Sequence, residues 1–284
     1  MKLNDAPWLE QQYNNRARVP DHPQYLERWA RTSAQVRASE PCSIDVAYGR
    51  SPGERLDVFP SARPEGPVLV FIHGGYWRSL DKSDHSFIAP AFTRKGACLV
   101  VPNYDLCPAA TVPGIVMQMV RALAWTAKHI ASFGADPGRI TVAGHSAGGH
   151  LAAMMLACDW TGFDAKLPAR LVERALSISG LYELEPLRFT PSLQVALQLT
   201  ESQVLQASPA RLPAPASGTL YTVAGGRESM EFLRQNELIR QAWGTQRVPV
   251  CEALPGLNHF SVLDALVEEG SRLNRLAWEL LSGR

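Results

Sequence analysis

From about residue 43 onward, short apolar runs alternate with longer stretches of helical periodicity. The runs at 43–48, 55–59, 67–73, 97–102, 139–143, 174–179, 219–224 and 248–253 are mostly rich in Val, Ile and Leu and end in turns containing Gly or Pro. They lack a clean two-residue alternation, which is how strands read when both faces of a mostly parallel sheet are covered. Between them, residues 113–133, 150–159, 230–243 and 261–281 carry the helical pattern, and the first of these ends at Gly134, placed as a C′ glycine. The alternation predicts a mostly parallel, eight-stranded α/β sheet flanked by helices, with residues 1–284 forming one domain rather than two.

Two segments stand outside this alternation. Residues 1–40 form a partly amphipathic helical arm carrying Trp8, Tyr13, Tyr25, Leu26 and Trp29, ahead of a core at 43–284. Residues 186–216 hold five prolines around a short helical stretch. Both are expected to form a small cap over the carboxyl end of the sheet, where ligands bind in wound α/β folds.

Composition narrows the function classes. Hydrophobic residues make up 46% and charged residues 19%, and the formal net charge is +1 with no cluster of Lys or Arg, so nucleic acid is not an expected partner. The longest apolar runs are too short to span a bilayer, and the N-terminus lacks the apolar core of a signal peptide, which predicts a cytoplasmic protein with no membrane partner. Five scattered cysteines without a C-x-x-C pair read as reduced thiols. A small-molecule substrate is the expected partner, and a homodimer is left open.

The chemistry concentrates around Ser146. The run Ile140-Thr141-Val142-Ala143 enters Gly144-His145-Ser146-Ala147-Gly148, and a helical pattern leaves it. Strand, G-x-S-x-G turn and helix together make the nucleophile elbow of α/β-hydrolases, in which the serine is strained and its glycine neighbours avoid collision. Upstream, His73-Gly74-Gly75 follows the third apolar run. Gly74 and Gly75, with the N–H of Ala147, are the expected oxyanion hole. The order nucleophile, acid, histidine selects His259, in the loop after the last run, as general base. The acid belongs beyond the run at 219–224, where Glu228 is the first carboxylate. Glu231, Glu183 and Glu185 are its rivals, whereas Asp264 follows the histidine too closely.

The turn His73-Gly74-Gly75-Tyr76-Trp77, the elbow at 144–151, the stretch Ser179-Gly180-Leu181-Tyr182-Glu183-Leu184-Glu185-Pro186-Leu187, Ala207-Ser208-Pro209 and the loop at 228–232 resemble arylformamidases (kynurenine formamidases) of the α/β-hydrolase superfamily. Esterases similar to hormone-sensitive lipase share the elbow and the phrase at 134–137. The resemblance covers roughly residues 45–275 and puts the nucleophile on Ser146, the oxyanion turn on Gly74 and Gly75, and the histidine on His259. Its acid, usually Asp, falls on Glu228. Tyr76 and Trp77 are expected near the substrate, or else in the core beside the hole. The resemblance implies removal of a formyl group from an aromatic amine, with no metal or other cofactor. A carboxylesterase for short acyl esters and a deacylase for another aromatic amide remain alternatives, as does a non-catalytic, ligand-binding relative.

Overall fold

The computed structural model describes residues 5–283. Eight strands form one sheet: β1 (Ser43–Ala47), β2 (Arg55–Phe59), β3 (Gly66–Ile72), β4 (Cys98–Pro102), β5 (Ala135–His145), β6 (Arg174–Ile178), β7 (Thr219–Gly225) and β8 (Val250–Leu254). Their spatial order is β1-β2-β4-β3-β5-β6-β7-β8. Strand β2 is antiparallel to both neighbours and every other pairing is parallel. The carboxyl ends of β3 and β5 through β8 therefore share one edge.

Every predicted strand is present. Strand β5 is longer than its apolar run because Ala135 pairs with Gly66 before the register shifts and resumes at Ile140 opposite Val68. Pro137 lies in the bulged stretch between, where a missing backbone donor costs the ladder nothing. In β3, Val68, Val70 and Ile72 join one buried cluster while Leu69 and Phe71 join another. In β4, Cys98 and Val100 divide from Leu99 and Val101 in the same way. With both faces covered, the alternation that marks a half-exposed strand has no reason to exist.

The helical stretch predicted at 261–281 is two helices, Val262–Val267 and Arg272–Ser282. Gly270 takes φ +79° and the Ser271 side chain caps the second helix at Asn274 N–H, so the chain stops and restarts.

The arm folds as Ala6–Tyr13, Asn15–Arg18 and His22–Ser39. Leu9 and Tyr13 pack into the cluster on one face of the sheet, whereas Trp29 and Val36 pack into the other. The arm therefore straddles the sheet. The proline-rich insertion contributes Glu185–Arg188, Pro191–Leu197 and Glu201–Ala207. The five cysteines stand free, and among the described residues no helix is long and apolar enough to cross a membrane.

Candidate active site

Ser146 sits between β5 and the helix Ala147–Leu156, with φ +57° and ψ −116°. An L-residue adopts this backbone only when its surroundings force it. They do so by close packing: a Cβ on Gly144 would come within 2.1 Å of the Gly148 carbonyl oxygen, and one on Gly148 within 1.9 Å of the Ile72 oxygen. The Ser146 N–H is tied to the Ile178 carbonyl at 2.8 Å. Its side chain makes no capping bond to the helix it precedes, which leaves the hydroxyl for other work and the first helical N–H, on Ala147, without an intrahelical acceptor.

The turn after β3 lies against this serine, and a Cβ on Gly74 would stand 3.2 Å from Ser146 Cβ. Gly75, Tyr76 and Trp77 take φ of +99°, +50° and +54° in succession. Two of them are not glycine, so the turn is strained and must be held from outside. Tyr104 O–H donates to the His73 and Gly74 carbonyls at 3.0 and 3.1 Å, and His73 Nδ1 lies 2.9 Å from the Gly74 oxygen. The Cys107 N–H donates to the Trp77 carbonyl at 2.7 Å, and Tyr76 O–H donates to the Tyr13 carbonyl at 2.7 Å. Because C=O and N–H point opposite ways across a trans peptide, pinning the Gly74 carbonyl inward turns the Gly75 N–H outward. Gly75 lines a pocket there that Ser146 also lines.

His259, in the loop after β8, lines the same pocket. Its Nδ1 lies 2.6 Å from Glu228 Oε2, and the Glu228 side chain is fully buried. The other carboxylate oxygen accepts from Ser179 Oγ at 2.5 Å and from the Gly225 N–H at 2.6 Å. A buried carboxylate with three donors is both stabilised and fixed in direction. Of the carboxylates weighed from the sequence, Glu228 alone meets the imidazole. Glu231 binds Tyr13 and Arg234, Glu183 binds Arg211 and Arg234, Glu185 binds Arg188, and Asp264 binds Arg28.

Among known proteins, the kynurenine formamidase of Danio rerio is 31% identical over 255 residues, an alignment covering 87% of this chain and 84% of the relative. This chain belongs to the kynurenine formamidase family of α/β-hydrolases. The BD-FAE family profile matches residues 56–178, the stretch that holds both glycine turns. A candidate thioesterase from Silicibacter sp. tm1040 superposes with a TM-score of 0.83 at 28% identity, covering 93% of this chain and 97% of that one. An esterase from Pyrobaculum calidifontis has a TM-score of 0.69 at 21% identity, covering 98% of each chain, which speaks to the fold alone. The chain is a hydrolase of the α/β-hydrolase type.

In this member of the kynurenine formamidase family the pocket is roofed by both segments expected to form the cap. Tyr13 to Arg16, Leu26 and Trp29 come from the arm; Ser192 and Leu193 come from the insertion. Tyr76 lines the pocket. Trp77 does not: it is fully buried, edge-on to His150 at 5.0 Å, because the turn sends successive side chains to opposite sides. His145 and His150 are buried, and burial depresses both pKa values, that of His150 to about 4. His145 Nε2 lies 2.8 Å from the His259 carbonyl oxygen and so ties the histidine loop to the elbow. His150 Nε2 lies 2.7 Å from the Ala207 oxygen. Sequence reasoning passed over Ser179, whose one signal is its place directly after β6, beside the strand ends that carry Ser146 and Glu228. Among the described residues no group of three or more His, Cys, Asp or Glu is placed to hold a metal ion.

Proposed function

We propose that the chain hydrolyses the N-formyl group of an aromatic amide such as N-formylkynurenine, with Ser146, His259 and Glu228 as its catalytic triad. The observation that carries this reading is the buried Glu228–His259 contact of 2.6 Å, on a histidine that shares a pocket with the strained Ser146. The relative named kynurenine formamidase supplies the substrate class. The aromatic walls at Trp29, Tyr76 and Phe260 suit an arylamine leaving group.

In this mechanism His259 takes the Ser146 hydroxyl proton as the oxygen attacks the formyl carbon. Glu228 holds the ring's orientation and stabilises the imidazolium. The turn at Gly74 and Gly75, through the Gly75 N–H, and the N–H of Ala147 at the start of the helix after the serine receive the oxyanion. His259 then protonates the departing amine. Water, deprotonated by the same imidazole, attacks the formyl-enzyme, releasing formate and restoring Ser146.

An ester would react through the same groups, so the decisive measurement is kcat/KM on N-formylkynurenine against p-nitrophenyl esters of increasing acyl length. Faster cleavage of acyl chains of several carbons than of formyl substrates would replace the formamidase reading with a carboxylesterase one. Fluorophosphonate labelling lost in Ser146→Ala tests the nucleophile; full labelling of that variant would refute it.

A further inference from the structure

Strand β6 lies between β5, which leads into Ser146, and β7, which leads into the loop of Glu228. The residue directly after β6 is Ser179, 1% exposed and held at φ +53°. Glycine takes that conformation freely, whereas a residue with a Cβ keeps it at a cost and only where its surroundings impose it. One peptide group imposes it here. Its carbonyl, on Ile178, accepts from the Ser146 N–H at 2.8 Å, and its N–H, on Ser179, donates to the Val223 carbonyl at 2.7 Å. The backbone of the nucleophile and the strand before the acid are thus tied to opposite sides of the same peptide. A glycine could make both of these bonds without strain. What it would lack is the hydroxyl, and Ser179 Oγ donates to Glu228 Oε1 at 2.5 Å.

We infer that Ser179 is a positioning residue: its hydroxyl holds the Glu228 carboxylate on the His259 imidazole, and activation of Ser146 depends on it. A glutamate side chain turns about several bonds, so freezing it in one direction takes specific partners as well as burial. Oε1 receives two donors, Ser179 Oγ and the Gly225 N–H at 2.6 Å, and with that oxygen fixed Oε2 stands 2.6 Å from His259 Nδ1. The Gly225 donor is backbone and comes with the fold; the Ser179 donor is a side chain that substitution can remove. Ser179 does not line the pocket, so its influence on the reaction passes through Glu228. This inference rests on the proposed triad and is independent of which acyl group the chain removes.

The rate constant of labelling by a fluorophosphonate reads activation of the serine without a choice of substrate. In Ser179→Ala it should fall about ten- to a hundredfold, the scale of one hydrogen bond to a buried charge. Ser179→Gly removes the same hydroxyl and adopts φ +53° without strain, so it should show the same loss and stays informative if Ser179→Ala folds poorly. The deciding comparison is made without the acid. Ser179→Ala combined with Glu228→Ala should label within about twofold of Glu228→Ala alone, because a residue that acts through Glu228 has nothing left to act on. A merely structural role would instead repeat its full loss in that background. In hydrolysis the loss should fall on kcat, with KM held within about twofold. Labelling of both single variants within about twofold of the unmodified protein, or an undiminished loss in the Glu228→Ala background, overturns the inference. Glu228→Ala labelling at the unmodified rate would sink the triad reading, and the role of Ser179 with it. A protein that labels as expected and cleaves esters but no formyl amide keeps Ser179 in this role and loses only the formamidase reading.

Discussion

The floor of the pocket and the cap above it are built by different means. On the floor, Ser146, Gly74, Gly75, Glu228 and His259 all follow carboxyl ends of parallel strands of the one sheet, and backbone contacts leave the glycine turns little latitude. Side chains are excluded at Gly144 and Gly148 by carbonyl oxygens about 2 Å from where a Cβ would stand. The cap rests on side chains instead. Tyr13 O–H donates to Glu231 at 2.7 Å, Tyr76 O–H reaches the Tyr13 carbonyl, and Trp29 stacks on Phe87 at 5.8 Å. A floor held by backbone geometry keeps its chemistry while the cap changes, so the two regions divide the labour between reaction and selection.

The division is tested most severely by Ser146→Ala. Turnover should fall by about 10⁴-fold or more with stability almost unchanged, because the hydroxyl makes no capping bond to the helix it precedes. A variant that kept a tenth of wild-type kcat would remove Ser146 from the chemistry. Next comes the contrast between two neighbouring carboxylates. Glu228→Ala should lower kcat by about 10³ to 10⁴-fold, as expected when an imidazole loses its orienting acid. Glu231→Ala should instead cost about 1–3 kcal/mol of stability, since Arg234 and Tyr13 lose a buried partner, with kcat reduced less than about tenfold. If the two losses were reversed, the acid would belong to the arm-facing carboxylate and the division would collapse.

The floor was far more legible in the sequence than the cap, for a physical reason. Strand cores, G-x-S-x-G and H-G-G are local: each motif states its own backbone requirement within a few residues, and strand order along the chain places the histidine and the acid. Tyr13 meeting Glu231 spans 218 positions, and nothing in either neighbourhood announces the other. Arg16 and Arg78 are likewise far apart in the chain, and only the fold brings both to one pocket. Ser179 was equally silent, because a serine after a strand is common and its bond to Glu228 depends on the spacing between β6 and β7. Tyr76 and Trp77 had to be taken together from sequence; the positive φ at both is what separates them into pocket and core.

The floor should also be the acid-sensitive region. His73, His85, His145 and His150 are buried there, and burial depresses the pKa of each, to about 3 for His85 and about 4 for His150. In the unfolded chain each titrates near 6.5. As pH falls below about 6.5 the unfolded chain binds protons that the folded chain refuses, so folding stability drops with falling pH. Each such histidine contributes at most about 1.4 kcal/mol per pH unit, until its folded pKa is reached. Urea unfolding at pH 7 and pH 5 should show the loss. His150→Gln, which can still donate to the Ala207 carbonyl, should make it smaller, whereas an unchanged pH dependence would show that His150 is not held neutral in the fold.

The smallest expected effect is the one most specific to the cap. Tyr13→Phe keeps the ring against Phe232 at 5.9 Å but removes the hydroxyl that donates to Glu231 and accepts from Gln235 Nε2 at 3.2 Å. Arg234 still holds Glu231 through its guanidinium, so the loss should be about 1 kcal/mol. Because Tyr13 lines the pocket and anchors the arm residues that line it with Tyr13, the loosening should be felt by substrate binding before it is felt by chemistry. KM should rise about two- to fivefold with kcat held within about twofold, consistent with a loss of about that size falling on binding alone. A fall in kcat at constant KM would mean that the arm helps position the strained turn through Tyr76, and that cap and floor act as a single unit.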